Sequence, residues 1–114
     1  MDFDTEQYVV HEGSSIREAL TKIQKNTYGM VCIASQDEKI IAIATDGDIR
    51  LGLLAGLKLH DSITKCFNQN FIWADEYYRK SRLLKYLDSG IRYIPILDEK
   101  KRLISVVSHD SMLP

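Results

Sequence analysis

A hydroxyl and two carboxylates, from Thr45, Asp46 and Asp48, fall together at the point where the apolar run 40–44 stops. The run has the length of a strand buried on both faces, and Ile49, Leu53, Leu54 and Leu57 beyond it are spaced for one face of a helix. Thr45 therefore stands where an N-cap belongs. A strand passing into a helix N-terminus gathers free backbone N–H groups, a hydroxyl and a carboxylate at one point, which is chemistry for holding a small polar ligand. The same Thr-x-x-Asp spacing is equally a capping box, in which Thr45 and Asp48 satisfy only backbone donors. Both readings rest on one pair of side chains.

Nothing else in the chain assembles a reaction centre. Cys32 and Cys66 are far apart with no Cys-x-x-Cys pair, and His11, His60 and His109 share no ligand spacing, so buried thiols and no structural metal are expected. Without a nucleophile–base pair or a phosphate-cradling glycine-rich loop, the chain is read as a non-enzyme.

The elements that position Thr45 and Asp48 follow from periodicity. A strand at 8–10 precedes a helix opened by a Ser15/Glu18 capping box and carrying Ile16, Ala19, Leu20 and Ile23; strands at 30–33 and 40–44 and the Thr45 helix complete the first unit. Residues 56–67 read as a linker with one turn capped by Asp61 or Ser62. The order then repeats: a strand at 71–73, a helix with Leu83, Leu84 and Leu87, strands at 94–97 and 103–107, and a helix starting at Ser108. Ser108 lies 63 residues after Thr45, as Val106 does after Ile43, while the first helices match at 64. Each unit alone buries too little surface to be secure, so 1–58 and 59–114 are expected to pack sheet against sheet around one core. At that offset the last helix is expected to run past residue 114, so the chain is expected to be the N-terminal part of a longer protein; the alternative is that this helix is simply short.

The 114 residues, 45% apolar and 27% charged, suit one folded module, and fifteen basic against sixteen acidic residues leave a net charge of −1. Basic residues are interspersed with acids, so no nucleic-acid partner is expected. No apolar run reaches the roughly 20 residues of a membrane span, and the N-terminus is acidic where a signal peptide is basic, so no membrane partner and a cytoplasmic location are expected.

Doubled strand-helix-strand-strand-helix units, each with an apolar strand running into a capped helix, resemble a tandem pair of CBS domains, the Bateman module. Residues 40–50, 93–97 with the Ile94-Pro95-Ile96 core, and 103–112 carry the resemblance, which covers about residues 8–113. It implies an α/β (α+β) fold of two pseudo-symmetric β-α-β-β-α repeats, and an adenosine nucleotide (AMP, ADP or ATP) as regulatory ligand. The ribose would lie on Thr45 and Asp48, whose carboxylate can accept from both hydroxyls of a cis-diol. The base would lie in a slot between Ile43 and the opposite repeat's Ile72, Tyr93 and Pro95, with Tyr93 able to stack on it. Asp46 and Asp48 repel phosphate, so a cation is required, with Arg50, Arg92 and His109 as candidates. Asp110 falls where some members carry a basic phosphate ligand. Ser108 keeps a hydroxyl but Ser111 replaces the second carboxylate, so one competent site per chain is expected.

The wording of residues 44–50 further resembles CBS pairs fused to bacterial sugar-phosphate nucleotidyltransferases or ketose/aldose-phosphate isomerases, and the position of Met1 just before the first strand favours the nucleotidyltransferase arrangement. The resemblance implies a sensor that biases a fused C-terminal catalytic domain. It also implies a homodimer through the helices, with Leu53, Leu54, Leu57 and Met112 as contacts. The alternative is an assembly module in which Thr45 and Asp48 are only caps.

Overall fold

The computed structural model describes residues 4–26 and 28–112. Residues 1–3 of the acidic N-terminus, and residues 113–114 where the last helix was expected to continue, lie outside that range. The order is β1 (Val9–His11), α1 (Ile16–Lys25), β2 (Met30–Ala34), β3 (Ile40–Thr45) and α2 (Asp46–Leu54), then β4 (Ala74–Asp75), α3 (Lys80–Asp88), β5 (Ile94–Leu97), β6 (Leu103–Val107) and α4 (His109–Met112). Single 3₁₀ turns at Thr5–Tyr8 and Ile63–Lys65 complete it, the second capped by the Ser62 hydroxyl.

Each half forms a three-stranded sheet, β1-β2-β3 and β4-β5-β6, in which the first pair is parallel and the second antiparallel. The parallel pair is possible because α1 or α3 supplies the crossover. In α1 the predicted Ser15/Glu18 capping box is formed, and Ile16, Ala19 and Ile23 are buried.

Strand β2 is buried at every position, and its alternation explains why. Val31 and Ile33 pack with Ile16, Ala19 and Ile23 of α1 and Ile49 of α2, whereas Met30, Cys32 and Ala34 meet Leu97 and Val106 of the other sheet. Side chains of period two thus divide between a helix layer and the second sheet. On the far side Ile94 and Ile96 of β5 pack with Leu83, Leu87 and Met112, and the backbone N–H of Ile40 donates to Lys101 O across the halves at 2.8 Å. The architecture is the expected sheet-to-sheet sandwich of two related units. The 59–67 segment lies on the first unit: Ile63 is fully buried in its core, and the backbones of Ile43 and Asn68 are bridged.

The second unit departs from expectation at its start. Residues 71–73 are not a strand; β4 is only Ala74–Asp75, paired with Ile96 and Leu97. In the first sheet β1 pairing begins opposite Cys32, and the residue 63 positions later is Pro95. Proline brings no N–H to the ladder, and pairing starts one residue further on. The freed segment leaves Trp73 40% exposed. The predicted dimer contacts separate: Leu53 and Leu57 are half-buried against the first core, Met112 is buried in the second, and Leu54 is exposed together with Leu51.

Candidate ligand site between the halves

The N-terminus of α2 is built as the sequence demands. The Thr45 hydroxyl accepts from the Asp48 N–H at 3.1 Å, and the Asp48 carboxylate accepts from the Thr45 N–H at 3.0 Å through Oδ2. The Asp46 N–H donates to Gly29 O at 3.2 Å, tying the helix start to the turn before β2. Gly29 has φ +68°, the left-handed region that glycine enters without a Cβ penalty. Asp46 is paired with Arg50 one turn on.

Beside this helix start lies a cavity of about 470 Å³ supplied by both halves. Ile43, Thr45, Asp46 and Arg50 form one wall, and Tyr28, Ile91, Arg92 and Tyr93 the other. Its volume is within the 300–1,000 Å³ usual for small-molecule sites. Tyr28 and Tyr93 stack with ring centroids 5.2 Å apart at 26°, and Tyr8 tilts against Tyr28 at 5.6 Å. The Arg92 guanidinium carbon lies 5.9 Å from the Tyr93 centroid.

Three of the residues singled out by sequence, Ile43, Thr45 and Tyr93, are brought together in this cavity. Asp48 is not on its lining. It is half-buried on the flank of α2 facing the linker, where its charge helps push the Cys66 thiol up, after burial as the larger cause. Tyr93 presents one face to Tyr28, so a base would meet its edge or its other face. Ile72 packs in the second core and borders a different crevice, and Pro95 is buried within β5. His109 opens α4, with Nε2 2.6 Å from Asp88 Oδ1. Of the three candidate cations, Arg50 is held by Asp46 and His109 by Asp88; Arg92 alone has no carboxylate partner among the described residues. Tyr28 escaped the sequence reading. Its only signal there is an aromatic ring ahead of a glycine and a strand.

A second cavity of about 680 Å³ shares the Tyr28–Ile91–Arg92–Tyr93 wall and reaches Ser108 and Ser111. There the Ser108 N–H donates to Ser111 Oγ at 2.7 Å and the Ser111 N–H to Ser108 Oγ at 3.4 Å. The geometry repeats the Thr45/Asp48 box with a hydroxyl in place of the anion.

The CBS domain family model matches residues 2–55. Among curated proteins none matches the sequence. Solved structures match over nearly the whole chain. The CBS domains of a transcriptional regulator from Streptococcus pneumoniae superpose with a TM-score of 0.80 at 11% identity, covering 98% of this chain and 92% of that one. A CBS domain protein from Pyrobaculum aerophilum, complexed with AMP, gives 0.76 at 20% identity, over 94% and 87%. The CBS domain pair of protein MJ0100, in complex with 5′-methylthioadenosine and S-adenosyl-L-methionine, gives 0.78 at 22% identity, over 92% and 83%. The chain has the fold of a CBS domain pair, and its first half also carries the sequence pattern of a CBS domain.

Proposed function

We propose that this chain is a regulatory module that binds an adenosine nucleotide in the 470 Å³ cavity and thereby biases an attached catalytic domain. The observation that carries the reading is the combination at one place of a helix-capping hydroxyl, an apolar strand end, the Tyr28–Tyr93 stack with one ring from each half, and Arg92, which no carboxylate engages among the described residues. The base packs on Ile43 and Tyr93, the ribose reaches Thr45, and phosphate takes Arg92. Asp48 stands off the cavity lining and joins only as the bound state brings the ribose to its Oδ1, which has no partner among the described residues, while Oδ2 keeps its bond to the Thr45 N–H. Two neighbours of the same fold lend support, since AMP, 5′-methylthioadenosine and S-adenosyl-L-methionine share an adenosine with a free ribose diol. Ligand contacts from both halves give the bound state a different inter-repeat packing from the free state, which is what a regulator requires. We assign the repeats to 1–58 and 59–114. The sequence resemblance supports a cytoplasmic homodimer whose catalytic partner is a sugar-phosphate nucleotidyltransferase.

A second reading, an assembly module, is favoured by the completed Thr45/Asp48 box and by Leu51 and Leu54, 70% and 80% exposed on one helix. Thermal unfolding with AMP, ADP, ATP and S-adenosyl-L-methionine separates the two. A sensor is stabilised by about 2.7 kcal/mol at a ligand concentration of a hundred times Kd. Flat melting temperatures across the series would leave only the assembly reading.

A further inference from the structure

The two halves differ at a second crevice, which lies between the first strand of each sheet and the first helix. In the first half it is a polar cavity of about 690 Å³ lined by Ser14, Glu18 and Lys22, whose ammonium donates to Glu6 O at 2.6 Å and Val9 O at 2.8 Å. At the helix offset of 64 the matching residues are Tyr78, Arg82 and Tyr86. None of these donates across the gap among the described residues, and the second crevice, at about 560 Å³, differs from the first in the chemistry of its lining rather than in being open.

Its lining is chemically unlike the rest of the surface. Trp73, Tyr77, Tyr78 and Tyr86 supply ring faces or edges, and Arg79 and Arg82 supply guanidinium groups that no carboxylate engages among the described residues. Trp73, Tyr77 and Tyr78 are 40%, 84% and 37% exposed, half of the large hydrophobic side chains that the described surface leaves open. The one acid on the lining, Asp75, has Oδ1 occupied by the Tyr77 N–H at 2.9 Å. Lys101 adds positive charge from outside, with Nζ 3.6 Å from the Trp73 ring centroid.

We propose that this crevice is a binding site for a small planar aromatic anion, an aryl or heteroaryl ring bearing phosphate or carboxylate. Rings seek stacking partners, and guanidinium groups bind phosphate or carboxylate in a planar, two-pronged manner. Neither half of the lining is satisfied by an apolar or a purely ionic occupant. Two arginines and a lysine around a cavity of this volume suit one compact anion, whereas a nucleic-acid strand needs cations along a longer track. The site is separate from the inter-repeat cavity and shares no lining residue with it.

Trp73 is the only tryptophan in the chain, so its emission reports on this crevice alone. The intact chain is titrated with uridine monophosphate, phosphotyrosine and benzoate, and with inorganic phosphate and phenol as half-ligands. The expected result is a saturable change with one or more of the aromatic anions and none with either half-ligand at equal concentration. Response to uridine monophosphate alone assigns a nucleotide, and response to the aryl anions assigns the wider class. The double variant Arg79→Ala/Arg82→Ala weakens binding by about ten- to a hundredfold, the loss of charge-assisted hydrogen bonds. Tyr77→Ala, at a largely exposed ring, provides a second variant with weakened binding and an unchanged melting temperature. Tyr93→Ala leaves the titration as it was, which keeps this site distinct from the nucleotide cavity. No saturable change with any aromatic anion overturns the proposal. So does undiminished binding in the arginine variant.

Discussion

Replacing Asp48 tests whether its carboxylate serves the helix, the ligand or both. One oxygen accepts from the Thr45 N–H at 3.0 Å, and the other is unengaged among the described residues. Asp48→Ala removes the box, at a cost of about 1 kcal/mol within a range of roughly 0.5–2. For a chain of this size that lowers the melting temperature by about 4 °C. Asp48→Asn keeps an acceptor for the Thr45 N–H and removes the charge, so the unliganded melting temperature moves by less than about 2 °C. Hydrogen bonds to a charged acceptor are roughly twice as strong as neutral ones, so a ribose held by Asp48 loses about 1.4 kcal/mol, or tenfold in affinity. At AMP a hundred times the wild-type Kd, stabilisation falls from about 2.7 to about 1.4 kcal/mol, and the ligand-induced shift from roughly 11 to roughly 6 °C. Differential scanning fluorimetry of the three proteins with and without AMP reads every term. An undiminished shift in Asp48→Asn would make Asp48 a cap and nothing more, and an unchanged unliganded melting temperature in Asp48→Ala would refute the capping energetics.

Arg92→Ala should weaken AMP about tenfold while leaving 5′-methylthioadenosine, which has no phosphate, unchanged by calorimetry. Acid should destabilise the turns around Asp98 and Asp61, whose carboxyls are held below their ordinary value of 3.8, first by the Arg102 and Lys58 backbone N–H groups respectively. A lowered folded-state pKa contributes stability above the unfolded value that is lost as pH falls from about 3.8 through the folded value. Asp98→Asn should therefore flatten the melting temperature against pH below 4, relative to wild type, in an acid titration followed by circular dichroism. Burial pushes the Cys32 thiol up to about 12, and the half-buried Cys66 is raised less. A disulfide-exchange reagent at pH 8 should titrate Cys66 slowly and Cys32 only after denaturant is added.

The fold was legible where local chemistry and periodicity agreed. Ser15/Glu18 and Thr45/Asp48 each form the box their spacing predicts, and the continuous apolar run at 30–33 is a strand covered on both sides. The 71–73 segment misled because its hydrophobicity is that of a strand, while the proline that denies it pairing lies more than twenty residues away. Leu53, Leu57 and Met112 were ambiguous for a related reason: helical spacing marks a buried stripe without saying whether a core or a partner covers it. The site was half legible. Thr45 and Ile43 come with the motif, but the Tyr28–Tyr93 stack joins residues 65 positions apart, and the ion pairs that engage Arg50 and His109 cannot be read from composition. Of the three candidates, those pairs leave Arg92 without a carboxylate partner among the described residues.

The face of β2 turned toward Leu97 and Val106 has a bearing on ancestry. Met30, Cys32, Ala34 and Ile40 would meet water if residues 4–55 stood alone, an oily slab with no partner. A solitary ancestral unit carrying that slab would have had to cover it with its own twin, related by a twofold axis. In this chain the second unit supplies that cover, so the contact lies within one molecule. The two sheets keep the same strand order and pairing, while the two outer crevices carry different linings.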